Sequence, residues 1–186
     1  MKFIHTSDWH LGRRLHSEDL MDAQSSFLTW LLECAVSNDV DAVLVAGDIY
    51  DRAQPPAEAI DLLDQTVAAF ARAGVPLILT SGNHDSAVRL KYGKALFQDS
   101  GIHVRAEFDA ITDPIVLTDE HGSVGFYGIP YLNPDAVMDK LGAGRSHESV
   151  LSAVSKKIID DASERGLSRT VVLAHAFITG ATASES

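Results

Sequence analysis

The stretch Val43-Leu44-Val45-Ala46-Gly47-Asp48-Ile49-Tyr50-Asp51 constrains the fold more than any other part of the chain. A short apolar run rich in Val, preceded by a helical pattern, reads as a buried parallel strand. Gly47 lets the backbone turn tightly where the run ends, and the turn delivers Asp48 to the carboxyl edge of the sheet. In open α/β sheets that edge is where ligands bind. Gly-Asp by itself is an ordinary turn pair. Whether Asp48 does chemistry depends on what other segments send to the same edge.

The rest of the chain alternates strand and helix. Lys2 to Thr6 reads as a first strand, followed by a loop over Ser7 to Gly12. Leu20, Phe27, Leu28, Leu31, Leu32 and Ala35 recur at helical spacing between about Glu18 and Ser37, with Ser17 as the expected N-cap. Asp41 to Ala46 is the second strand. Pro55 and Pro56 open a helix striped by Ile60, Leu63, Val67 and Phe70 and stopped at Gly74. Pro76 to Thr80 is the third strand, and a short helix is expected over Lys91 to Phe97. Ile102-His103-Val104 and Ile115-Val116-Leu117 read as strands, and Asp119 to Gly122 as a hairpin turn into Val124 to Gly128. Leu151, Val154, Ile158 and Ala162 mark a last helix, which ends near Gly166. Thr170 to Ala174 is a final strand leading into His175. This order predicts a layered α/β domain with parallel central strands, built as two mixed sheets between helices.

A chain of 186 residues can bury one sizeable core. With 46% hydrophobic and 22% charged residues it is too apolar to be disordered. Cys34 is the only cysteine, which excludes an intramolecular disulfide and a thiolate metal cluster; within its apolar pattern it is expected to be a small buried hydrophobe. No apolar run reaches the length of a membrane span, and Met1 to His5 enters a strand pattern without a signal-peptide layout, so a cytoplasmic location without membrane association is expected. Fifteen basic against 26 acidic residues leave a net charge of −11. That balance argues against a nucleic-acid binder driven wholly by charge, but not against an enzyme whose acidic residues hold cations.

Four strand ends carry polar residues of one chemical kind: Asp8-x-His10, Asp48-x-x-Asp51, Asn83-His84-Asp85 and His175. Carboxylate, imidazole and amide oxygen without thiolate suit manganese, iron or magnesium better than a structural zinc. Each motif alone is commonplace. Their conjunction is not, because in a parallel sheet strand ends distant in sequence lie side by side.

Taken in order, Asp-x-His, Gly-Asp-x-x-Asp, Gly-Asn-His-Asp and a later strand-end His resemble the calcineurin-like metallophosphoesterases. The strings Ile4 to Gly12, Val45 to Asp51 and Gly82 to Ser86, with His175 followed by Thr179 to Glu185, are similar to the Mre-type repair nucleases within it. The resemblance covers the chain end to end. It implies a two-metal phosphodiesterase in which Asp8 and His10 hold one ion, Asn83 and His175 the other, and Asp48 bridges them. Manganese is the expected ion, with magnesium or iron as alternatives. Paired cations of this kind favour in-line attack at a phosphodiester and offset its transition-state charge. His84 is then the catalytic proton donor, with Asp85 placed to orient its ring. The resemblance also implies DNA as substrate, cleaved at ends and hairpins, a homodimer, and a partner ATPase with long coiled coils. Arg13, Arg14, Arg52, Arg89 and Lys91 follow the motifs closely enough to meet phosphate, although each alone reads as solvated surface.

Two departures matter. Relatives outside bacteria often have His where this chain has Asp51, so a second cationic donor is not expected there. The family also has a further strand ending in Gly-His-x-His, which these residues lack. His103, His121 and His147 lie outside that context and read as surface residues. The expectation is therefore the N-terminal part of a longer protein, with the remaining ligands beyond residue 186 and with weak metal binding and no activity of its own. Two other readings stay open: a phosphoesterase acting on nucleotides or phosphoproteins, and a non-catalytic scaffold, against which the retained ligand set argues.

Overall fold

In the computed structural model, residues 1–16 and 18–176 are described. Ser17 and the Thr179–Glu185 stretch lie outside them. The elements run β1 (Phe3–Thr6), β2 (Arg14–Leu15), β3 (Glu18–Asp19), α1 (Met21–Ser37), β4 (Ala42–Ala46), α2 (Ala57–Ala73) and β5 (Leu77–Thr80). They continue with α3 (Ala87–Leu90), α4 (Lys94–Phe97), β6 (Ile102–Arg105), β7 (Ile115–Asp119), β8 (Gly122–Ile129), α5 (Pro134–Leu141), α6 (His147–Glu164) and β9 (Thr170–Ala174).

β1, β4, β5 and β6 form a parallel sheet in the order β1-β4-β5-β6. A second sheet pairs β8 with β7 antiparallel and with β9 parallel. Alternation along β4 explains the layering. Val43 and Val45 pack into the core shared with α1 and α2, including Leu28, Leu31 and Phe70. Ala42, Leu44 and Ala46 point the other way, onto Ile115, Val124, Phe126 and Leu173 of the second sheet. The far face of that sheet, Tyr127 and Ile129, packs on Val137, Val150, Val154 and Ile158 of α5 and α6. The result is the expected sandwich of two sheets between helices; the second sheet is mixed as expected, whereas the first is parallel throughout the described strands. Burying a side chain such as Phe70, which is fully enclosed, contributes about 2–3 kcal/mol.

Register then positions the loops. Thr6 lies opposite Val45, and Ala46 opposite Thr80, so the chain leaves β1, β4 and β5 at the same edge. In the second sheet Ala174 lies opposite Ile129, and His175 follows at once.

Several local expectations change. The first helix begins at Met21, because Glu18 and Asp19 pair as a strand with Leu15 and Arg14, and the Asp19 carboxylate accepts from the Met21 N–H at 2.9 Å. Ile60 departs from the α2 stripe and is exposed. The helix expected over Lys91–Phe97 is two single turns, α3 and α4, on either side of a left-handed Gly93. α5 went unforeseen, although Asn133 caps it by accepting from the Asp135 N–H and Pro134 opens it. Cys34 is half-buried rather than enclosed. His121 is exposed, but His103 is half-buried on β6 and His147 half-buried, its ring centroid 5.9 Å from that of Tyr131.

Candidate metal centre

The loops at the shared edge are held in costly conformations. Asp8 (φ 55°), His10 (φ 44°) and Asp48 (φ 46°) all adopt the left-handed region, which costs a non-glycine residue about 1–3 kcal/mol and persists only where neighbours over-determine it. Here they do. The Asp8, His10 and Leu11 N–H groups donate to the carbonyls of Gly47, Asp48 and Ile49 at 3.1, 2.9 and 2.9 Å. The Asp85 carboxylate accepts from the N–H groups of Ile49 (3.0 Å), Tyr50 (2.8 Å) and Gly82 (2.9 Å), tying the β4 loop to the β5 loop. Burial raises the Asp85 carboxyl above its ordinary range while these amides pull it back, and burial with Asp85 nearby pushes Tyr50 to about 12. Gly82 allows the approach: a Cβ there would lie 2.0 Å from Asp48 Oδ1.

Two histidines have their tautomers set by main-chain carbonyls, which only accept. His175 donates Nδ1–H to the Ala46 carbonyl at 3.0 Å, which leaves Nε2 facing Asn83 Oδ1 at 3.1 Å and Asp48 Oδ2 at 3.5 Å. His84 donates Nδ1–H to the Asp51 carbonyl at 2.8 Å. His10 Nε2 lies 3.8 Å from Asp8 Oδ1 and 3.7 Å from Asp48 Oδ2. Among the described residues its buried Nδ1 has no hydrogen-bond partner, the Asp51 carboxylate standing 3.5 Å away.

These residues fit divalent cations. Among the described residues, three acceptors around His175 face one another with no donor between them, an arrangement that a cation, a second ring proton or a turned Asn83 amide resolves. Ligand atoms of Asp8, Asp48 and His175 lie within 4.8 Å of one another, as do those of His10, Asp48 and His84. The buried Asp48 belongs to both groups and stands between them. Asp8, Asp48, Asn83 and His175 line an open cleft of about 600 Å³ together with His5, Ser7 and Tyr131.

All the strand-end residues singled out from the sequence thus reach one edge, where His10 lies near Asp8 and Asp48 and His175 near Asn83 and Asp48, and further proximities join them. Asp8 clusters with His175 as well as lying near His10, and His84 packs edge-on against His10 with ring centroids 4.9 Å apart. Asp85 does not orient the His84 ring. Its oxygens are engaged by main-chain N–H groups, and the carbonyl of Asp51 holds His84 instead. Arg13, Arg14, Arg52 and Arg89 are exposed. Lys91 is committed to Glu107 at 2.7 Å, beside the Lys94–Glu107 pair.

Sequence reasoning passed over Gln24. From α1 its amide donates to the Trp9 and His10 carbonyls and accepts from the Gly12 N–H. Nothing local marks it, since it sits among polar residues on a helix of ordinary pattern.

The calcineurin-like phosphoesterase family profile matches residues 1–181. The chain is also 32% identical, over its whole length, to SbcD, the D component of the nuclease SbcCD, from Staphylococcus saprophyticus, of which it covers 49%. It therefore spans about half the length of that relative. A family profile that runs through the strand-end residues and almost the whole chain leaves one assignment: the chain belongs to the calcineurin-like phosphoesterase family.

Proposed function

We propose that this chain carries the metal site of a DNA nuclease subunit that hydrolyses phosphodiesters at DNA ends and hairpins in repair and recombination, as part of an SbcCD-type complex. The observation that carries the reading is the acceptor cluster of His175 Nε2, Asn83 Oδ1 and Asp48 Oδ2, an arrangement that suits a cation at the sheet edge. The match to a protein named as a nuclease subunit supports the substrate class.

Asp8, His10, Asp48, Asn83 and His175 would hold two divalent ions, manganese first, with Asp48 common to both. Bound there, the ions would supply Lewis-acid stabilisation of the charge that develops on the phosphate. His84 is the proposed catalytic acid. With Nδ1 tied to the Asp51 carbonyl, its Nε2 is the atom left to pass a proton to the leaving oxygen. The exposed Arg13, Arg14 and Arg52 beside the loops would meet the DNA backbone. Holding cations would also lower the local negative potential of a chain whose net charge is −11.

The partners are DNA, an SbcC-type coiled-coil ATPase and a second copy of the chain, and the location is the cytoplasm. The exposed apolar side chains of Val88, Tyr92 and Leu96, on α3, α4 and the turn between them, support an association of copies. Among the described residues no helix is long and apolar enough to cross a membrane.

The test is cleavage of end-labelled duplex and hairpin DNA by the protein with its ATPase partner, with and without manganese. Metal-dependent shortening that is abolished in Asp48→Asn and strongly reduced in His84→Ala supports the reading. Hydrolysis of nucleotides or phosphopeptides with no action on DNA would replace it with another phosphoesterase activity.

A further inference from the structure

The Asp8–Gly12 loop is pinned from two sides, and only one of them belongs to the strand-end motifs. Its N–H groups hang on the carbonyls of Gly47, Asp48 and Ile49. Its carbonyls face α1, where Gln24 Nε2 donates to Trp9 O at 3.1 Å and His10 O at 2.8 Å while Oε1 accepts from the Gly12 N–H at 3.1 Å. An amide is the side chain that fits this trio, because it carries two donors and an acceptor on one planar group. A carboxylate cannot donate to the two carbonyls, and an ammonium cannot accept from Gly12. The segment so held contains two of the left-handed non-glycine residues, Asp8 and His10. Such conformations relax unless both faces of the backbone are engaged.

We infer that Gln24 is a positioning residue for the metal centre: it holds the backbone that aims Asp8 and His10 at Asp48, without touching ion or substrate. The inference rests on the metal-site reading above and extends it to a residue of α1 outside every motif. Groups that orient ligands in this way typically change metal affinity by about 10–100-fold when removed.

The test compares wild type with Gln24→Met, which keeps length and loses all three hydrogen bonds, and with Gln24→Glu, which keeps only the acceptor. Gln65→Met is the control, since among the described residues the Gln65 side chain on α2 bonds within its own helix, to Asp61. Two readouts are taken: hydrogen exchange at the His10 and Leu11 amides without metal, and Mn²⁺ affinity from the electron paramagnetic resonance signal of the free ion. The expected result is exchange about tenfold faster at His10 and Leu11 and Mn²⁺ binding about tenfold weaker in both Gln24 variants, with β4 and β5 amides and the control unchanged. Unchanged exchange in the loop overturns the inference. So does faster exchange spread evenly over the sheet, which would make Gln24 merely structural, and so does altered exchange with wild-type Mn²⁺ affinity. If wild type itself binds no Mn²⁺, the metal-site reading falls, and the loop exchange still decides whether Gln24 is the clamp.

Discussion

His175 is joined to Ala46 by a hydrogen bond from its ring Nδ1–H to the main-chain carbonyl, 3.0 Å long and spanning 129 residues of sequence. It links the end of β9 in one sheet to β4, an inner strand of the other. It also leaves Nε2 as the atom that faces Asn83 and Asp48. Between the two partners of that bond sits Gly47, at φ 78°, and a Cβ there would come within 2.5 Å of the His175 ring. Gly47→Ala is therefore expected to cost about 1–3 kcal/mol through backbone strain and to push the imidazole off its carbonyl. Thermal unfolding checks the first effect. Loss of the His175 Nδ1–H nuclear magnetic resonance signal checks the second.

Asp85 satisfies three main-chain N–H groups from two loops. Asp85→Ala orphans all three and is expected to destabilise the protein by about 3 kcal/mol or more, given about 1–3 kcal/mol for each donor left unsatisfied. Asp85→Asn retains an acceptor and is expected to lose about half as much. Urea unfolding of both variants tests the ordering; equal losses would contradict it.

Glu107 makes hydrogen-bonded ion pairs with Lys91 and Lys94, and these lysines pull its carboxyl from 4.5 down to about 2. The folded value lies below the unfolded one, so this stabilisation is fully present above pH 4.5 and fades as the pH falls towards 2. With about a third of the group exposed, its worth is about 1 kcal/mol or less. Glu107→Gln is expected to lower stability at neutral pH by that amount and to converge with wild type towards pH 2. Parallel stability curves through that range would contradict the prediction.

Tyr127 is enclosed between the second sheet and α6, and its hydroxyl donates to Asp161 Oδ2 at 2.8 Å. Burial and the neighbouring carboxylate push its hydroxyl to about 12. The native state therefore resists its ionisation, and the associated stability persists below pH 10 and is lost as pH rises towards 12. Tyr127→Phe removes the hydrogen bond but leaves Asp161 paired with Arg165 at 2.8 Å. The expected cost at neutral pH is about 1 kcal/mol, with a shallower alkaline decline, read from unfolding curves across that range.

Much of the fold was legible because the signals were local. The apolar run of β4, buried on both faces, is written in consecutive residues. The start of α2 after Pro55 and Pro56 and its stop at Gly74 are written in turn chemistry. Errors arose where a distant or neighbouring partner overrode the pattern. Glu18 and Asp19 fit a helical spacing, yet strand pairing with Arg14 and Leu15 claims them. His103 looked like surface, yet it is half-buried on β6 beside the buried Arg105, and burial and that charge lower its basicity.

The sequence by itself determined the alternation of strands and helices and the polar residues at each strand end, because both depend on side chains a few positions apart. Only the tertiary structure decided how those residues are used. It gave His84 to the carbonyl of Asp51 rather than to the carboxylate beside it, spent Asp85 on the amides of two loops, and brought Gln24 from α1 to the backbone of Asp8–Gly12. These are matters of which donor meets which acceptor across folded segments. Hydrogen bonds are settled over tenths of an ångström by packing, and no spacing along the chain encodes that.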